Sequence, residues 1–178
     1  MADIKFGNDQ TIPEDGEHET PVSPHWTLIE LLFFAYRDFT KDADEVLAQF
    51  GFGRAHHRVL HFVNRNPGLT VADLLDILKI TKQSLARVLK QLVEDGFIEQ
   101  RAGASDRRQR LLFTTQRGKA LALELAARQS KRIQRALNEA GPDAQARFHD
   151  TLLAMVDVGE RERVAALTTA RREDGPRP

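Results

Sequence analysis

The segment Leu28–Phe39 constrains this chain more than any other. Leu28, Ile29, Leu31, Leu32, Phe33, Phe34, Tyr36 and Phe39 cover almost every angle of a helix. A helix that is apolar all round must be buried all round. A chain of 178 residues has little room to bury one helix on every side, so the segment implies burial against a second subunit. It is not a membrane span: the longest unbroken apolar run is the six residues Leu31–Tyr36, where about 20 are needed.

The flanking sequence sets that helix in context. Residues 1–23 carry Gly7, Asn8, Asp9, Pro13, Gly16 and Pro21 without an apolar period, and read as an acidic disordered tail. Ser23 and Pro24 suit an N-cap and a first helical residue, so the predicted N-terminal dimerisation helix occupies 24–50. The first ten residues lack the basic start and apolar stretch of a signal peptide. There are no cysteines, which excludes disulfides, thiolate metal clusters and thiol chemistry. A cytoplasmic location is expected.

After "GFG" at 51–53, Ala55, Val59, Phe62 and Val63 form the stripe of a helix that "NRNPG" closes. Thr70 and Asp73 then have capping-box spacing ahead of Leu74, Leu75 and Leu78. Thr81 caps a second helix with a stripe at Leu85, Val88, Leu89 and Leu92, and Gly96 suits its C-terminal exit. "FIEQRAGASDRRQRLLFT" follows as strand, tight turn, strand. Residues 116–139 and the stretch after Pro142 are helical, with Asp143 placed for the positive end and Phe148, Leu152, Met155 and Val156 lining the last helix.

Helix, turn, helix and a hairpin make a winged helix-turn-helix over 51–115, inside a mainly α chain with a small β-hairpin wing. Helical dimerisation arms flank it, the C-terminal arm over 116–170 and a polar tail over 171–178. The net charge is zero, yet residues 79–110 carry eight basic and four acidic side chains. A local positive block, not the total, is what a phosphate backbone meets.

In this motif the second helix enters the major groove. Opposite its buried stripe lie Gln83, Arg87, Lys90 and Glu94, with Ser84 and Gln91 on one flank. Gln reads adenine and Arg reads guanine by paired hydrogen bonds. The free N–H groups near Thr81 and Lys82 suit a phosphate, and Lys90 lies far enough down the helix for a backbone role. Arg107, Arg108 and Arg110 crowd the hairpin, where Arg is drawn to a narrow minor groove. Asp106 fits as the partner that fixes an Arg's direction.

These residues, above all "LKQLVEDGFIEQRAGASDRRQRLLFTTQRG", resemble the MarR (multiple-antibiotic-resistance regulator) family over about residues 25–165. The matching positions are Leu92, Gly96, Phe97, Ile98, Asp106, Arg108, Thr115 and Gly118. One departure is Thr114, where the family usually has Leu. The resemblance implies that Arg108 enters the minor groove with Asp106 orienting it. It implies an obligate homodimer with intertwined terminal helices, recognising a pseudo-palindromic duplex operator, with repression as the expected outcome. It further implies a pocket for a small aromatic or phenolic effector, with Trp26, Tyr36, His57 and Arg58 as the nearest candidates. No cofactor is expected.

Rival readings stay open at this stage. His57 and His61, at i and i+4, have a spacing that can ligate zinc, which leaves a metal-responsive regulator as an alternative, although two His do not make a site and no metal site is assigned. A winged helix can also serve protein contacts without sequence-specific DNA binding. An enzyme is not expected: "GFGRAH" is an incomplete dinucleotide fingerprint, and neither a phosphate loop nor a Gly-x-Ser-x-Gly elbow occurs.

Overall fold

The computed structural model describes residues 24–103 and 109–169. The elements are α1 (Trp26–Ala48), α2 (Arg54–Arg65), β1 (Leu69–Thr70), α3 (Val71–Leu78), α4 (Lys82–Glu94), β2 (Ile98–Ala102), β3 (Arg110–Thr114), α5 (Gln116–Ala140), α6 (Ala144–Ala154), a 3₁₀ turn (Val158–Glu160) and α7 (Arg161–Thr169). No helix among the described residues is long and apolar enough to cross a membrane. The mainly helical winged architecture expected from the sequence is present.

The core forms where apolar stripes converge. Leu47 of α1, Val59, Leu60 and Val63 of α2, Leu74 of α3, Leu85 and Leu92 of α4, Leu112 of β3 and Leu125 of α5 are fully buried together with Phe97 and Ile98. The turn before α3 is held by a reciprocal cap. Thr70 Oγ1 accepts from the Asp73 N–H at 3.1 Å, and Asp73 Oδ2 accepts from the Thr70 N–H at 2.8 Å. Thr81 caps α4 with a single bond, its Oγ1 accepting from the Ser84 N–H at 3.2 Å. Gly96, at φ +75°, takes the left-handed backbone that turns α4 into β2.

Three local readings are corrected. The helix α1 starts at Trp26 with His25 as its N-cap, so Pro24 leads into the helix without joining it; Ser23 lies outside the described residues. The helix stops at Ala48, two residues before Phe50. Gly51, at φ +67°, reverses the chain so that the Phe52 N–H returns to the Leu47 carbonyl at 3.0 Å. The hairpin is joined by a third strand: β1 pairs with β3 (Leu69 opposite Leu112), giving the antiparallel order β1-β3-β2.

A further correction concerns the C-terminal arm: two helices follow α5, not one. Asp143 is the N-cap of α6 in left-handed backbone (φ +63°), and its carboxylate makes no capping bond. Arg161 then donates to the carbonyls of Ala154 at 2.6 Å and Val156 at 2.9 Å. Those bonds satisfy the orphan acceptors at the end of α6 and let the chain bend into the 3₁₀ turn and α7. Thr114, the departure from the family pattern, is half-buried and its hydroxyl donates to Asn64 Oδ1 at 3.4 Å.

Candidate nucleic-acid interface

The face of α4 opposite its buried stripe is open to solvent. Lys82, Gln83, Arg87 and Lys90 are exposed, while Ser84 and Gln91 are half-buried on the flank. Thr81 and Ser84 are spent locally in part, since Thr81 Oγ1 donates to Ser84 Oγ at 2.9 Å. Lys90 pairs with Glu94 one turn on, at 3.7 Å. Arg87 makes no ion pair among the described residues, which leaves its five donors available. Gln91 is engaged from behind: His56 of α2 approaches its Oε1 at 2.9 Å.

The hairpin continues this surface. Glu99 and Arg101 of β2 form an ion pair, and the Arg101 guanidinium lies 4.3 Å from the centre of the Phe113 ring. Arg110, at the start of β3, is exposed. The Gly103 N–H donates to the Gln109 carbonyl at 3.0 Å and draws the two strands together. Asp106, Arg107 and Arg108 lie outside the described residues.

A second feature sits between α1, α2 and α5. A cavity of about 240 Å³ is lined by Tyr36, His57, Arg58 and His61 with Phe62 and Gln129, among others. Three of the four candidate ligand residues are therefore brought together. Trp26 is not among them: it lies ten residues up α1 from Tyr36, about 15 Å at the helical rise, and is 65% exposed. Sequence reasoning missed Arg54 and Gln129 as lining residues. Arg54 is one turn before Arg58 on α2 and could have been found from that spacing. Gln129 comes from α5, and nothing local marks it.

A larger open groove of about 620 Å³ runs beside Arg37, Asp38, Lys41, Asp44 and Arg54. Its charges answer one another, with Arg37 on Asp38 at 2.8 Å and Arg54 on Asp44 at 2.9 Å. That self-neutralised trough is a poorer ligand site than the smaller, more enclosed cavity.

The cavity depresses the basicity of its histidines. Burial pushes the His57 pKa down, His61 beside it adds to that, and Asp44 opposes it weakly. Burial lowers His61 as well, and Arg65 contributes. His61 is the more solvent-exposed of the two residues. The folded chain binds these protons more weakly than the unfolded chain. Stability is therefore full above the unfolded value near 6.5 and is lost as the pH falls through the depressed folded values. The melting temperature should drop between pH 7 and pH 5, and the His57→Gln/His61→Gln variant should lose part of that slope. An unchanged slope in the variant would show that these two rings carry none of it.

Neither ring meets a third ligand: among the described residues, no group of three His, Cys, Asp or Glu side chains is placed to hold a metal ion. His56, adjacent in sequence, turns away to stack on Phe52, with ring centres 4.8 Å apart.

Comparison with known proteins bears on this geometry. The MarR family model matches residues 50–109, which span the lobe from the end of α1 to the wing. The HTH-type transcriptional regulator PetP of Rhodobacter capsulatus is 49% identical over 142 residues, 80% of this chain and 86% of that protein. The crystal structure of MarR aligns with a TM-score of 0.57 at 23% identity, over 83% of this chain and 99% of its own. A MarR family transcriptional regulator from Listeria monocytogenes, solved complexed with 26mer DNA, aligns with a TM-score of 0.60 at 17% identity, over 83% and 97%. At these identities the two structures speak to the fold.

Proposed function

This chain belongs to the MarR family of HTH-type transcriptional regulators, a class that is not enzymatic, and from that premise we propose that it works in the cytoplasm as a homodimeric repressor of a pseudo-palindromic operator. The observation that carries the DNA reading is the exposed face of α4, where Gln83 and Arg87, the latter without an ion pair among the described residues, stand opposite the buried stripe Leu85, Val88, Leu89 and Leu92. Thr81 and Lys82 at the start of α4 and Lys90 further along it take backbone positions, with Ser84 and Gln91 on the DNA-facing flank. Asp106, Arg107, Arg108 and Arg110 serve the wing. Two copies related by a two-fold axis would present their α4 helices to major grooves about 34 Å apart, one turn of duplex.

The effector is a small aromatic or phenolic compound in the cavity at Tyr36, His57 and Arg58. About 240 Å³ suits a single substituted ring, since drug-sized pockets start at about 300 Å³. The cavity lies between the arms and the lobe, so a ligand that binds one spacing of the two better than another shifts the dimer toward it.

Fluorescence anisotropy on duplex from the upstream region of the protein's own gene, across a salt series, tests the reading. Saturable, sequence-dependent binding with a steep salt slope is expected. Arg87→Ala should cost about 2 kcal/mol per half-site, roughly thirtyfold in affinity for each, and relax preference at one base position in each. An unchanged preference profile in a binding-site selection would remove Arg87 from base readout.

A further inference from the structure

His56 and Gln91 are 35 residues apart in sequence and belong to different helices, yet they form one hydrogen-bonded unit behind the exposed face of α4. The backbone determines its polarity. The Gly53 N–H, at the N-terminus of α2, meets His56 Nδ1 at 3.1 Å. A backbone N–H can only donate, so Nδ1 must be the acceptor. In the neutral ring the proton then sits on Nε2, and Nε2–H donates to whatever faces it. What faces it is the Gln91 side chain, at 2.9 Å. That end of the amide must be the carbonyl oxygen, and the –NH₂ end, carrying both donors, is the end left over.

The ring itself is fixed. It stacks on Phe52 at 4.8 Å with planes 9° apart, and Phe52 is in turn buried against Phe97, with ring centres at 5.0 Å. His56 therefore cannot swing to follow the amide, and the amide cannot flip without setting two donors head to head.

Gln91 shares a strip of α4 with Ser84 and Arg87, at spacings of seven and four residues. It lies about 10 Å along the axis from Ser84, beyond the N-terminal residues that reach base edges in this motif. An –NH₂ group at that position suits the sugar–phosphate backbone of DNA, which offers only acceptors. We propose that His56 is a positioning residue for DNA binding: it locks the Gln91 amide so that only its two donors face the duplex, where they take a phosphate oxygen. The inference rests on the DNA-binding reading of α4. It adds a residue outside that helix and assigns a neutral phosphate contact where the sequence suggests only a polar flank.

The test is a double-mutant cycle with a structural readout beside it. Gln91→Ala should weaken binding about fivefold per half-site, the worth of one neutral hydrogen bond. The loss should be equal across operator variants and leave the salt slope unchanged, because a neutral donor releases no counterion. Gln91→Glu keeps an acceptor for His56 but removes both donors, and should bind no better than Gln91→Ala. His56→Gln retains an N3 acceptor for the Gly53 N–H but cannot reach Gln91. It should weaken binding two- to threefold per half-site in the wild-type background and not at all in the Gln91→Ala background. Additive losses in the cycle, or a Gln91→Glu variant that binds like wild type, would overturn the proposal while leaving the DNA reading intact. Independently of DNA, ¹⁵N NMR of the His56 ring near pH 8 should show a bare Nδ1 and a protonated Nε2. The opposite tautomer would overturn the proposal. If the wild-type chain binds no duplex in a sequence-dependent manner, the DNA reading itself has failed and the phosphate contact fails with it.

Discussion

Gly118→Ala should destabilise the fold by about 3 kcal/mol, a drop of roughly 10 °C in melting temperature for a chain of this size. On an ordinary helix the change is favourable by about 1 kcal/mol, so the sign rests on what the new methyl group meets. A Cβ on Gly118 would lie 1.9 Å from the Phe97 carbonyl oxygen and 2.9 Å from its carbon. That neighbour is backbone and cannot rotate away. Phe97 is 1% exposed and sits edge-on to Phe50 and Phe52 at 5.3 and 5.0 Å. The start of α5 is clamped to the same place. The Thr115 N–H donates to the Phe97 carbonyl at 3.1 Å, the Thr115 hydroxyl to the Gly96 carbonyl at 2.7 Å, and Arg117 Nη1 to the Asp95 carbonyl at 2.8 Å. Relief of the clash would break these bonds or move the aromatic cluster. Thermal unfolding followed by circular dichroism checks the expectation, and a melting temperature within 2 °C of wild type would contradict it. Since the clamp joins the end of α4 to the long helix of the arm, a variant that survives by shifting α5 should also lose operator affinity.

The contrast between Gly118 and Gly96 shows where sequence reasoning reaches. Gly96 was legible as a helix exit because a left-handed residue after an apolar stripe is a local rule, and its φ of +75° follows it. The same holds for the caps at Thr70 and Thr81 and for the stripe Leu85, Val88, Leu89, Leu92. Gly118 was visible only as a letter in a family pattern, for its reason lies in a carbonyl 21 residues away. The strand β1 is two residues long, too short to show a period, and exists because Leu112 lies opposite. The His56–Gln91 bond and the approach of Gln129 to the cavity depend on packing between helices, which no window of sequence contains. The break between α6 and α7 was hidden for another reason: it is made by the Arg161 side chain returning to two carbonyls, in a stretch whose apolar spacing continues to read as one helix.

That stretch and α1 lead to the other large effect. Eight bulky apolar side chains between Trp26 and Tyr36 remain 40% or more exposed, Phe33 at 67%, and Leu152 of α6 and Met155 at its C-cap are exposed as well. Patches of this extent on a monomer mark an interaction surface, and the homodimer proposed above covers them with the same segments of a second chain. Leu32→Asp should then abolish assembly. In a lone chain the change is mild, because Leu32 is 45% exposed and its new carboxylate would stay in water. In a two-fold interface the same carboxylate is buried without a partner, twice. At about 3 kcal/mol for each uncompensated charge, the dimer loses some 6 kcal/mol, roughly four orders of magnitude in dissociation constant. Sedimentation velocity should give a mass near the 20.1 kDa of one chain with helical content retained at low temperature. Operator affinity should collapse with it, since each lobe would then bind its half-site without the other. A dimer that persists and binds DNA normally would place the two-fold contact elsewhere and leave the apolar face of α1 to some other partner.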